Sequence, residues 1–330
     1  MRFFITGIGG FAGAHLAEHL LAAGHEVSGL VTGRPDRPCL RALAARHPRF
    51  APERLARADV SDRTALERAL AERAPDGVFH LAGIAFAPRA EADAARAFGV
   101  NVLGTLALLA AVEHAVPQCR VLVVGSSDAY GAITPGNLLI AEETPLRPVT
   151  VYGCSKAAAD MVAFQRWWTA GTAVIRVRAF NHTGPGQDPD FVCSDFARQI
   201  ARIEAGGAPP VVHVGDLSAV RDFSDVRDVV RGYAMLWEHG RLGEAYNLCS
   251  GVGTSIAAIT AMLGAESRCR VEWVEERGRL RSREIQAVVG SAARAAALGW
   301  TPRIPLAQTL RDLLDDWRRR QNAGEPHASP

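Results

Sequence analysis

Three glycines near the start of the chain restrict its fold more than any other feature. Residues 2–6 form a short apolar segment, Gly7, Gly10 and Gly13 follow at intervals of three, and an amphipathic stretch comes next. A strand, a glycine-rich turn and a helix in this order are typical of the phosphate-binding entry of a dinucleotide fold. Gly7 permits the tight turn, Gly10 lets a pyrophosphate approach the main chain, and Gly13 lets the helix pack close to the strand. We predict a dinucleotide site here, which includes Phe11.

Apolar segments of strand length then alternate with helical patterns, which predicts an α/β protein with a Rossmann-type doubly wound parallel sheet and a smaller C-terminal α/β substrate lobe. We expect residues 1–180 to form an NADP-binding domain, to which segments near 221–250 return. Residues 181–330 are expected to form the partly interleaved substrate lobe. Residues 221–240 are predicted as a turn followed by an amphipathic helix. The later strands are predicted at residues 25–33, 54–62, 75–83, 121–131, 172–181 and 246–251.

The end of the second predicted strand bears on the choice of cofactor. It reads Thr32, Gly33, Arg34, without the acid that would hold the ribose hydroxyls of NAD. A guanidinium in that place suits the 2′-phosphate of NADP. We therefore expect NADPH as the cofactor, with NADH possible.

Two later strand ends are expected to border the same cofactor. Asp59 and Val60 follow the third predicted strand, where the adenine commonly lies, although Asp59 also suits a cap for the next helix. The fourth predicted strand ends in small and apolar residues that suit close passage beneath a cofactor: Leu81, Ala82 and Gly83.

The sequence VYGCSK at residues 151–156 contains the only lysine of the chain, Lys156, among 37 lysines and arginines. Tyr152 lies four residues earlier, so both side chains share one face of a helix. A compact ammonium fits a tight pocket that a guanidinium cannot enter. Beside a phenol it favours the phenolate, so we predict that Lys156 lowers the pKa of Tyr152 and makes it a proton donor or acceptor.

A buried-type strand at residues 121–131 contains Ser126, Ser127 and Asp128 near its end. Active-site groups of open α/β sheets gather at the carboxyl ends of the strands. Together with the tyrosine and lysine of the next helix, these residues predict a nicotinamide-dependent site for a carbonyl or an alcohol. In this site Ser126 would hydrogen-bond the substrate oxygen.

The composition argues against nucleic-acid-binding, metal-binding, secreted and membrane proteins. A net charge of +2 without a basic stripe argues against nucleic acid as a partner. The six cysteines are isolated and lack metal-type spacing, so we expect no metal and reduced thiols in a cytoplasmic protein. We also expect no secretory leader and no apolar run as long as a membrane span.

Residues 100–115 form a strongly apolar helical pattern. Such a helix suits the contact surface of a homodimer, because a monomer rarely exposes so much apolar area. A fully buried core helix explains the pattern equally well, and the sequence leaves the two alternatives open.

The motifs TGIGGFAG, HLAG, GSSDAYG, YGCSK and RDFSDVRDV together resemble the extended short-chain dehydrogenases/reductases that act on nucleotide sugars. The resemblance runs over nearly the whole chain. The segment from FNHTGPG to YNLCSG resembles the GDP-sugar branch, and within it the GDP-4-keto-6-deoxy-D-mannose reductases that form GDP-D-rhamnose. This resemblance implies NADPH-dependent reduction of the 4-keto group of a GDP-linked 6-deoxyhexose.

The resemblance also implies substrate contacts. Ser127 and Asn181 would contact the substrate, with Asn181 on its sugar or diphosphate, and Arg221 would clamp a phosphate. Arg281 and Glu284 would hold phosphate and the nucleotide ribose. Two alternatives stay open, since Arg221 and Asp222 could form only a local ion pair and Glu284 could be a surface residue.

Other functions stay open as well. The neighbouring GDP-mannose 4,6-dehydratases place a glutamate where this chain has the shorter Asp128, which favours reduction over dehydration. Another nucleotide-sugar epimerase or reductase is a further alternative, and a non-catalytic NADPH-binding sensor is the alternative from a different class. After HLAG this chain has Ile84, Ala85 and Phe86, where the family usually has polar residues facing the sugar. The exact sugar is therefore less constrained than the fold.

Overall fold

The computed structural model of the protein describes residues 1–33, 37–132, 139–276 and 287–323. The strands are β1 (Arg2–Thr6), β2 (Glu26–Val31), β3 (Ala56–Arg57), β4 (Gly77–His80), β5 (Arg120–Ser126), β6 (Val174–Ala179), β7 (Asn181–Thr183), β8 (Val211–Val214), β9 (Val220–Asp225), β10 (Ala245–Leu248), β11 (Gly253–Ser255), β12 (Glu272–Glu275) and β13 (Ala287–Val288).

The helices are α1 (Phe11–Ala22), α2 (Pro38–Arg46), α3 (Arg63–Arg73), α4 (Ala87–Ala92), α5 (Ala94–Phe98), α6 (Gly104–Ala115), α7 (Val151–Ala170), α8 (Val192–Glu204), α9 (Val226–His239), α10 (Ile256–Glu266), α11 (Ala293–Ala297) and α12 (Leu306–Asn322). Short 3₁₀ turns occupy Pro52–Arg54 and Ser127–Ala129, and a π-helical turn occupies Gly99–Leu103.

A parallel sheet of seven strands forms the centre of the fold, in the order β10-β6-β5-β4-β1-β2-β3. One apolar cluster covers one face of the sheet with α1 and α9, and another covers the other face with α3 and α6. Both faces of β4 are therefore buried, and its short apolar sequence suits that position. The predicted doubly wound parallel sheet is confirmed. The third predicted strand is reduced to two residues.

The smaller lobe surrounds a third apolar cluster built by α8, α10 and α12. Its strand β9 pairs with β7, β11 and β13, and β8 pairs with β12. The prediction of a turn at the start of residues 221–240 is wrong, because Val220–Asp225 is β9. Its partners come from three distant segments, so the local sequence did not indicate a strand. The amphipathic helix that follows and the returning strand β10 are confirmed.

The apolar helix α6 has two different faces. Leu108, Leu109 and Val112 are fully buried against the sheet, whereas Leu106 is 39% exposed and Leu103, in the π turn just before the helix, is 58% exposed. The inner face of the helix therefore belongs to the core. Its outer face is partly exposed, which is compatible with a contact surface in a homodimer.

The expectation that no apolar run reaches the length of a membrane span is wrong. The helical run Ala94–Ala115 has 22 residues and is long and apolar enough by length and composition alone. It reaches this length because α5, the π turn and α6 follow one another without a break. Within the fold, 44% of its apolar window is buried.

Candidate active site

A cleft of about 1140 Å³ opens at the carboxyl ends of the central strands, between the large sheet and the smaller lobe. This is where ligands bind in open α/β sheets. The cleft brings together most of the residues predicted from sequence: Gly7, Gly10, Phe11, Gly13, Leu81, Gly83, Ser126, Ser127, Asp128, Tyr152, Lys156, Asn181 and Arg221. Arg34, Arg281 and Glu284 lie outside the described residues.

The glycine turn lies at one end of the cleft, and its geometry requires glycine at two positions. Gly7 has φ +74°, and a Cβ there would lie 2.8 Å from the amide nitrogen of Ala82. A Cβ on Gly13 would lie 2.2 Å from the carbonyl oxygen of Gly7, so only glycine lets α1 start this close to β1. The result is a cradle of main-chain atoms at a helix N-terminus, which fits the pyrophosphate of a dinucleotide.

Arg37 is a cofactor candidate that sequence reasoning missed. Its Nη1 donates to the carbonyl oxygen of Gly9 at 2.8 Å. Its Cδ would lie 3.2 Å from a Cβ on Gly9, next to the side chain of Val31 at the carboxyl end of β2. A guanidinium is therefore held beside the glycine turn, on the side where the adenosine ribose binds in such folds. The sequence did contain an indication of this role, namely a second arginine three residues after Arg34.

Three of the predicted cofactor residues do not line the cleft. Asp59 is exposed and accepts hydrogen bonds from the amide and hydroxyl of Ser61, at 2.9 and 2.7 Å. The alternative that Asp59 caps the next helix is wrong, since Asp62 caps α3. Val60 is buried in the core, and the Ala82 amide donates to the Thr6 hydroxyl. The contacts of Asp59 and Val60 with the adenine, and the passage of Ala82 beneath the cofactor, stay predictions.

Helix α7 carries the tyrosine and the lysine into the cleft. Thr150 caps the helix by accepting a hydrogen bond from the Gly153 amide at 2.9 Å. A Cβ on Gly153 would lie 2.5 Å from the carbonyl oxygen of Asp128, so this glycine lets the first turn of α7 approach the end of β5 closely. Tyr152 and Lys156 consequently face the serines at that strand end.

The predicted effect of Lys156 on Tyr152 is wrong. Burial, followed by the Asp128 carboxylate, raises the pKa of Tyr152 above its ordinary value, and a hydrogen bond with Ser126 only partly offsets this. The Lys156 ammonium is directed elsewhere and donates to the Val124 carbonyl oxygen at 2.8 Å. Burial lowers the pKa of Lys156 to about 8. At neutral pH the phenol is thus protonated, which suits a proton donor.

Ser126 and Asp128 complete the catalytic end of the cleft. Ser126 is buried, and its hydroxyl accepts a hydrogen bond from the Asp128 amide at 3.1 Å. The Asp128 side chain lies close enough to Tyr152 to affect its pKa. The site therefore combines a protonated phenol, a serine hydroxyl and a carboxylate around one position where a substrate oxygen can lie.

A buried asparagine, Asn101, supports this end of the cleft and was not predicted. Its Nδ2 donates to the hydroxyl of Ser155, between Tyr152 and Lys156, at 2.8 Å. Its Oδ1 accepts from the amide of Ile84 at 2.8 Å. Asn101 lies in the π turn, a feature often found at functional sites. The sequence indication that could have identified Asn101 was a polar residue at the start of an otherwise apolar helical pattern.

The network continues from Asn101 toward the glycine turn. The Thr105 hydroxyl donates to the Asn101 carbonyl oxygen at 2.6 Å, and the two ring nitrogens of His80 lie 2.9 Å from Thr105 and 2.7 Å from Thr6. Burial lowers the pKa of His80 to about 3, so the ring is neutral. These buried contacts join β1, β4, α6 and α7 behind the cleft.

Asn181 and Arg221 line the opposite wall. Strands β7 and β9 pair in parallel with Asn181 opposite Phe223, so Arg221, two residues earlier, projects from the same face of β9. Asp222 points away from the cleft and accepts hydrogen bonds from Ser250, Gly251 and Gly290. Arg221 therefore has a position from which it can reach a ligand, whereas its neighbour holds the lobe together.

This fold and this site define a nicotinamide-dependent oxidoreductase of the short-chain type. A sequence profile described as GDP-mannose 4,6 dehydratase matches residues 4–313. The chain belongs to this family, within the extended short-chain dehydrogenases/reductases, and the resemblance seen in the sequence is confirmed.

Individual relatives agree with this assignment. The GDP-6-deoxy-D-mannose reductase of Pseudomonas aeruginosa is 37% identical over 320 residues, 97% of this chain and 98% of that protein. The dTDP-glucose 4,6-dehydratase of Streptomyces griseus is 30% identical, over 98% of this chain and 96% of that protein. The structure of RMD from Pseudomonas aeruginosa complexed with NADPH has a TM-score of 0.84 and 36% identity, over 97% of this chain and 99% of that chain.

Proposed function

We propose that the protein reduces the 4-keto group of a GDP-4-keto-6-deoxyhexose, converting GDP-4-dehydro-6-deoxy-D-mannose to GDP-D-rhamnose with NADPH as the preferred reductant and NADH possible. The observation that carries the proposal is the protonated, half-buried phenol of Tyr152, hydrogen-bonded with Ser126 in the cleft that also contains the glycine turn. The similarity to a GDP-6-deoxy-D-mannose reductase, and to a structure complexed with NADPH, supports the same substrate and cofactor.

Each residue at the catalytic end has a role in this reaction. Bound nicotinamide supplies the hydride. Ser126 donates a hydrogen bond to the carbon-4 oxygen, and Tyr152 gives that oxygen its proton. The Lys156 ammonium would hold the nicotinamide ribose. Asp128, beside the phenol, favours return of a proton to Tyr152 because a carboxylate opposes a neighbouring phenolate.

The wall of the cleft that contains Asn181 and Arg221 has side chains suited to a nucleotide sugar, which is long and carries two phosphates. Arg221 would bind a phosphate of the diphosphate, a task that suits the guanidinium fork, and Asn181 and Ser127 would hydrogen-bond the sugar or diphosphate. Arg281 and Glu284 stay predictions for phosphate and the nucleotide ribose.

A simple assay separates reduction from the rival dehydration. A reductase consumes NADPH in step with the nucleotide-sugar product, whereas a dehydratase regenerates its cofactor and shows no net change. We expect loss of NADPH absorbance in proportion to the 4-keto sugar added. Turnover of GDP-mannose without consumption of NADPH would instead identify a dehydratase, and the Asp128 carboxylate is the group that would serve it. An epimerase would also show turnover without net consumption, distinguished by an isomeric product.

The sensor alternative predicts tight NADPH binding without reduction of any sugar nucleotide. The catalytic end of the cleft argues against it, because a binding protein has no need of a protonated phenol held against a serine. Titration of NADPH, followed by the consumption assay on the same sample, distinguishes the two classes.

Two guanidinium groups are our candidates for selecting NADPH over NADH. Arg37 is fixed beside the glycine turn, and Arg34 precedes it by three residues. We expect Arg37→Ala to weaken NADPH binding about tenfold and NADH binding little, because only NADPH has the 2′-phosphate. Arg34→Ala provides the parallel measurement. Equal loss of both cofactors in a variant would remove that arginine from cofactor selection.

We further propose a cytoplasmic homodimer. The π turn, α6 and α7 expose the apolar side chains of Leu103, Leu106, Met161, Phe164 and Trp168, the last by 71%. Exposed apolar side chains on neighbouring elements suit contact with a second copy of the chain. Six free cysteines suit the reducing cytoplasm. Trp168→Glu should shift the mass in solution from a dimer to a monomer, and an unchanged mass would argue against this interface.

A further inference from the structure

The cleft has an apolar loop beside the catalytic tyrosine that the proposed chemistry does not use. We define the apolar loop as residues 84–88, with the sequence IAFAP. All five residues line the cleft, and none has a polar side-chain atom. A functional surface without side-chain donors or acceptors is unusual next to a sugar, whose carbons mostly carry hydroxyl groups.

Both ends of the apolar loop are fixed next to Tyr152. At the start, Asn101 accepts from the amide of Ile84 and donates to its carbonyl oxygen, at 2.8 and 3.2 Å, while it also bonds Ser155 in α7. Just past the other end, the Glu91 carboxylate accepts from the amide of Val151 at 2.8 Å. Val151 directly precedes Tyr152. The apolar loop therefore cannot lie far from the phenol that reaches the reacting carbonyl.

The smaller lobe closes over the apolar loop with another aromatic ring. The rings of Phe86 and Phe191 lie 5.9 Å apart in an edge-to-face arrangement. Next to them, Arg89 pairs with Asp190 at 3.0 Å, so these two charged groups are bonded to each other. Ile84 lines the same cleft as these two rings, and we call Ile84, Phe86 and Phe191 the apolar corner.

The position of this corner determines which part of the substrate it meets. Because the carbon-4 oxygen must face Tyr152 and Ser126, the groups on the adjacent ring carbons lie closest to the apolar corner. Carbon 3 carries a hydroxyl, whereas carbon 5 carries carbon 6, which is a methyl group in a 6-deoxy sugar. Of the two, only the methyl gains from burial against aliphatic and aromatic carbon.

We propose that Ile84, Phe86 and Phe191 form the pocket for the carbon-6 methyl group and make the enzyme selective for 6-deoxy sugars. This inference rests on the proposed function, since it assumes a GDP-hexose with its carbon 4 at Tyr152. A hydroxyl on carbon 6 would be buried against the apolar loop without a side-chain partner, which costs binding free energy. Apolar pockets reject a substrate that differs by one added hydroxyl by about 100-fold.

The test compares two nucleotide sugars that differ only in this hydroxyl, GDP-6-deoxy-D-mannose and GDP-D-mannose. Calorimetry on the NADPH-loaded enzyme measures the affinity for each without turnover, because both are already alcohols at carbon 4. We expect the 6-deoxy sugar to bind tighter by at least about tenfold. With NADP⁺ instead, the ratio of kcat/KM for oxidation at carbon 4 should favour the same sugar by about 100-fold.

Two variants test whether the apolar corner causes the preference. Phe86→Tyr adds a hydroxyl to the ring, and Ile84→Thr replaces an ethyl branch by a hydroxyl. Each variant should reduce the ratio of affinities severalfold, because the new hydroxyl can hydrogen-bond the 6-hydroxyl. Phe98→Tyr is the matched control, since this partly exposed ring lies outside the cleft, and it should leave the ratio unchanged.

The outcomes separate this inference from the proposed function. Equal affinity of the wild-type enzyme for the two sugars would overturn the methyl pocket while leaving the reductase assignment intact. A preference that persists undiminished in both variants would also overturn it. If the enzyme consumes no NADPH with the 4-keto sugar, the proposed function fails, whereas the affinity ratio still decides whether this corner selects a methyl group. Melting curves of both variants establish that they are folded.

Discussion

The two ends of the cleft are built in different ways. The glycine turn uses main-chain atoms of one continuous segment, and its shape follows from the absence of side chains at Gly7 and Gly13. The catalytic end uses side chains, and the helix that carries Tyr152 is held by other segments, through the bond of the buried Asn101 to Ser155 and the close approach of Gly153 to Asp128. A local spacing therefore defines the first end, whereas the second depends on the packing of the whole domain. The difference predicts that substitutions at the two ends fail in different ways.

Removal of the phenolic proton should produce the largest effect. Tyr152→Phe keeps the ring and removes the hydroxyl, so we expect kcat to fall by about 10²–10⁴-fold. The affinity for NADPH should change little, because the glycine turn is untouched. Steady-state kinetics and a fluorescence titration of NADPH measure the two quantities separately. A comparable loss of cofactor affinity would show that the two ends are not independent.

A methyl group on the glycine turn should affect folding and cofactor binding together. In Gly13→Ala the new Cβ would lie 2.2 Å from the Gly7 carbonyl oxygen, so the main chain must shift. We expect a loss of about 3 kcal/mol in the free energy of unfolding and weaker NADPH binding. Gly33→Ala is the control, since a Cβ there meets no atom within 4 Å. Similar melting temperatures for both variants would contradict the close approach of α1 to β1.

Loss of the buried asparagine should slow the reaction without removing a reacting group. Asn101→Ala leaves the Ile84 amide without its acceptor and removes the hydrogen bond that Ser155 accepts, which costs about 1–3 kcal/mol of stability. We expect kcat to fall about tenfold while the Kd for NADPH stays near its original value. Gln308→Ala removes an exposed amide from α12 as a control. A decrease in stability with unchanged kcat would make Asn101 purely structural.

The pH dependence of cofactor binding should be the smallest effect and concerns Lys156. Because burial lowers its pKa to about 8, the ammonium is present below that pH and is lost above it. We expect NADPH affinity to be constant between pH 6 and about 8 and to weaken above, by at most about tenfold per pH unit. Lys156→Arg keeps its charge over this range and should bind more weakly but without the decline. The same decline in both proteins would assign it to another group.

Most of the fold could be predicted because its signals are local. The strand, glycine turn and helix at the N-terminus lie within one segment, and apolar runs mark the buried strands. β9 was missed because it is a strand only through its pairing with β7, β11 and β13. The length of the helical run from Ala94 was missed because only residues 100–115 were predicted as helical, whereas a π turn joins α5 to α6.

The site could be predicted as a set of residues but not as an electrostatic arrangement. Spacing placed Tyr152 and Lys156 on one face of a helix, and the structure brings both into the cleft. Spacing could not show that the ammonium donates to the Val124 carbonyl oxygen, or that burial and Asp128 raise the pKa of the phenol. Such effects depend on distances between segments that are remote in the chain. The same holds for Arg37, whose contact with Gly9 depends on the path of the loop after β2.

The single lysine has a consequence for how unfolding of the protein can be observed. A protease that cleaves only after lysine has one bond to cut, between Lys156 and Ala157, and both residues are buried within α7. The folded chain should resist such a protease, and each cleavage should yield the same two fragments, residues 1–156 and 157–330. The rate at which these fragments appear would report how often the helix that carries the catalytic tyrosine opens, and bound NADPH should slow it.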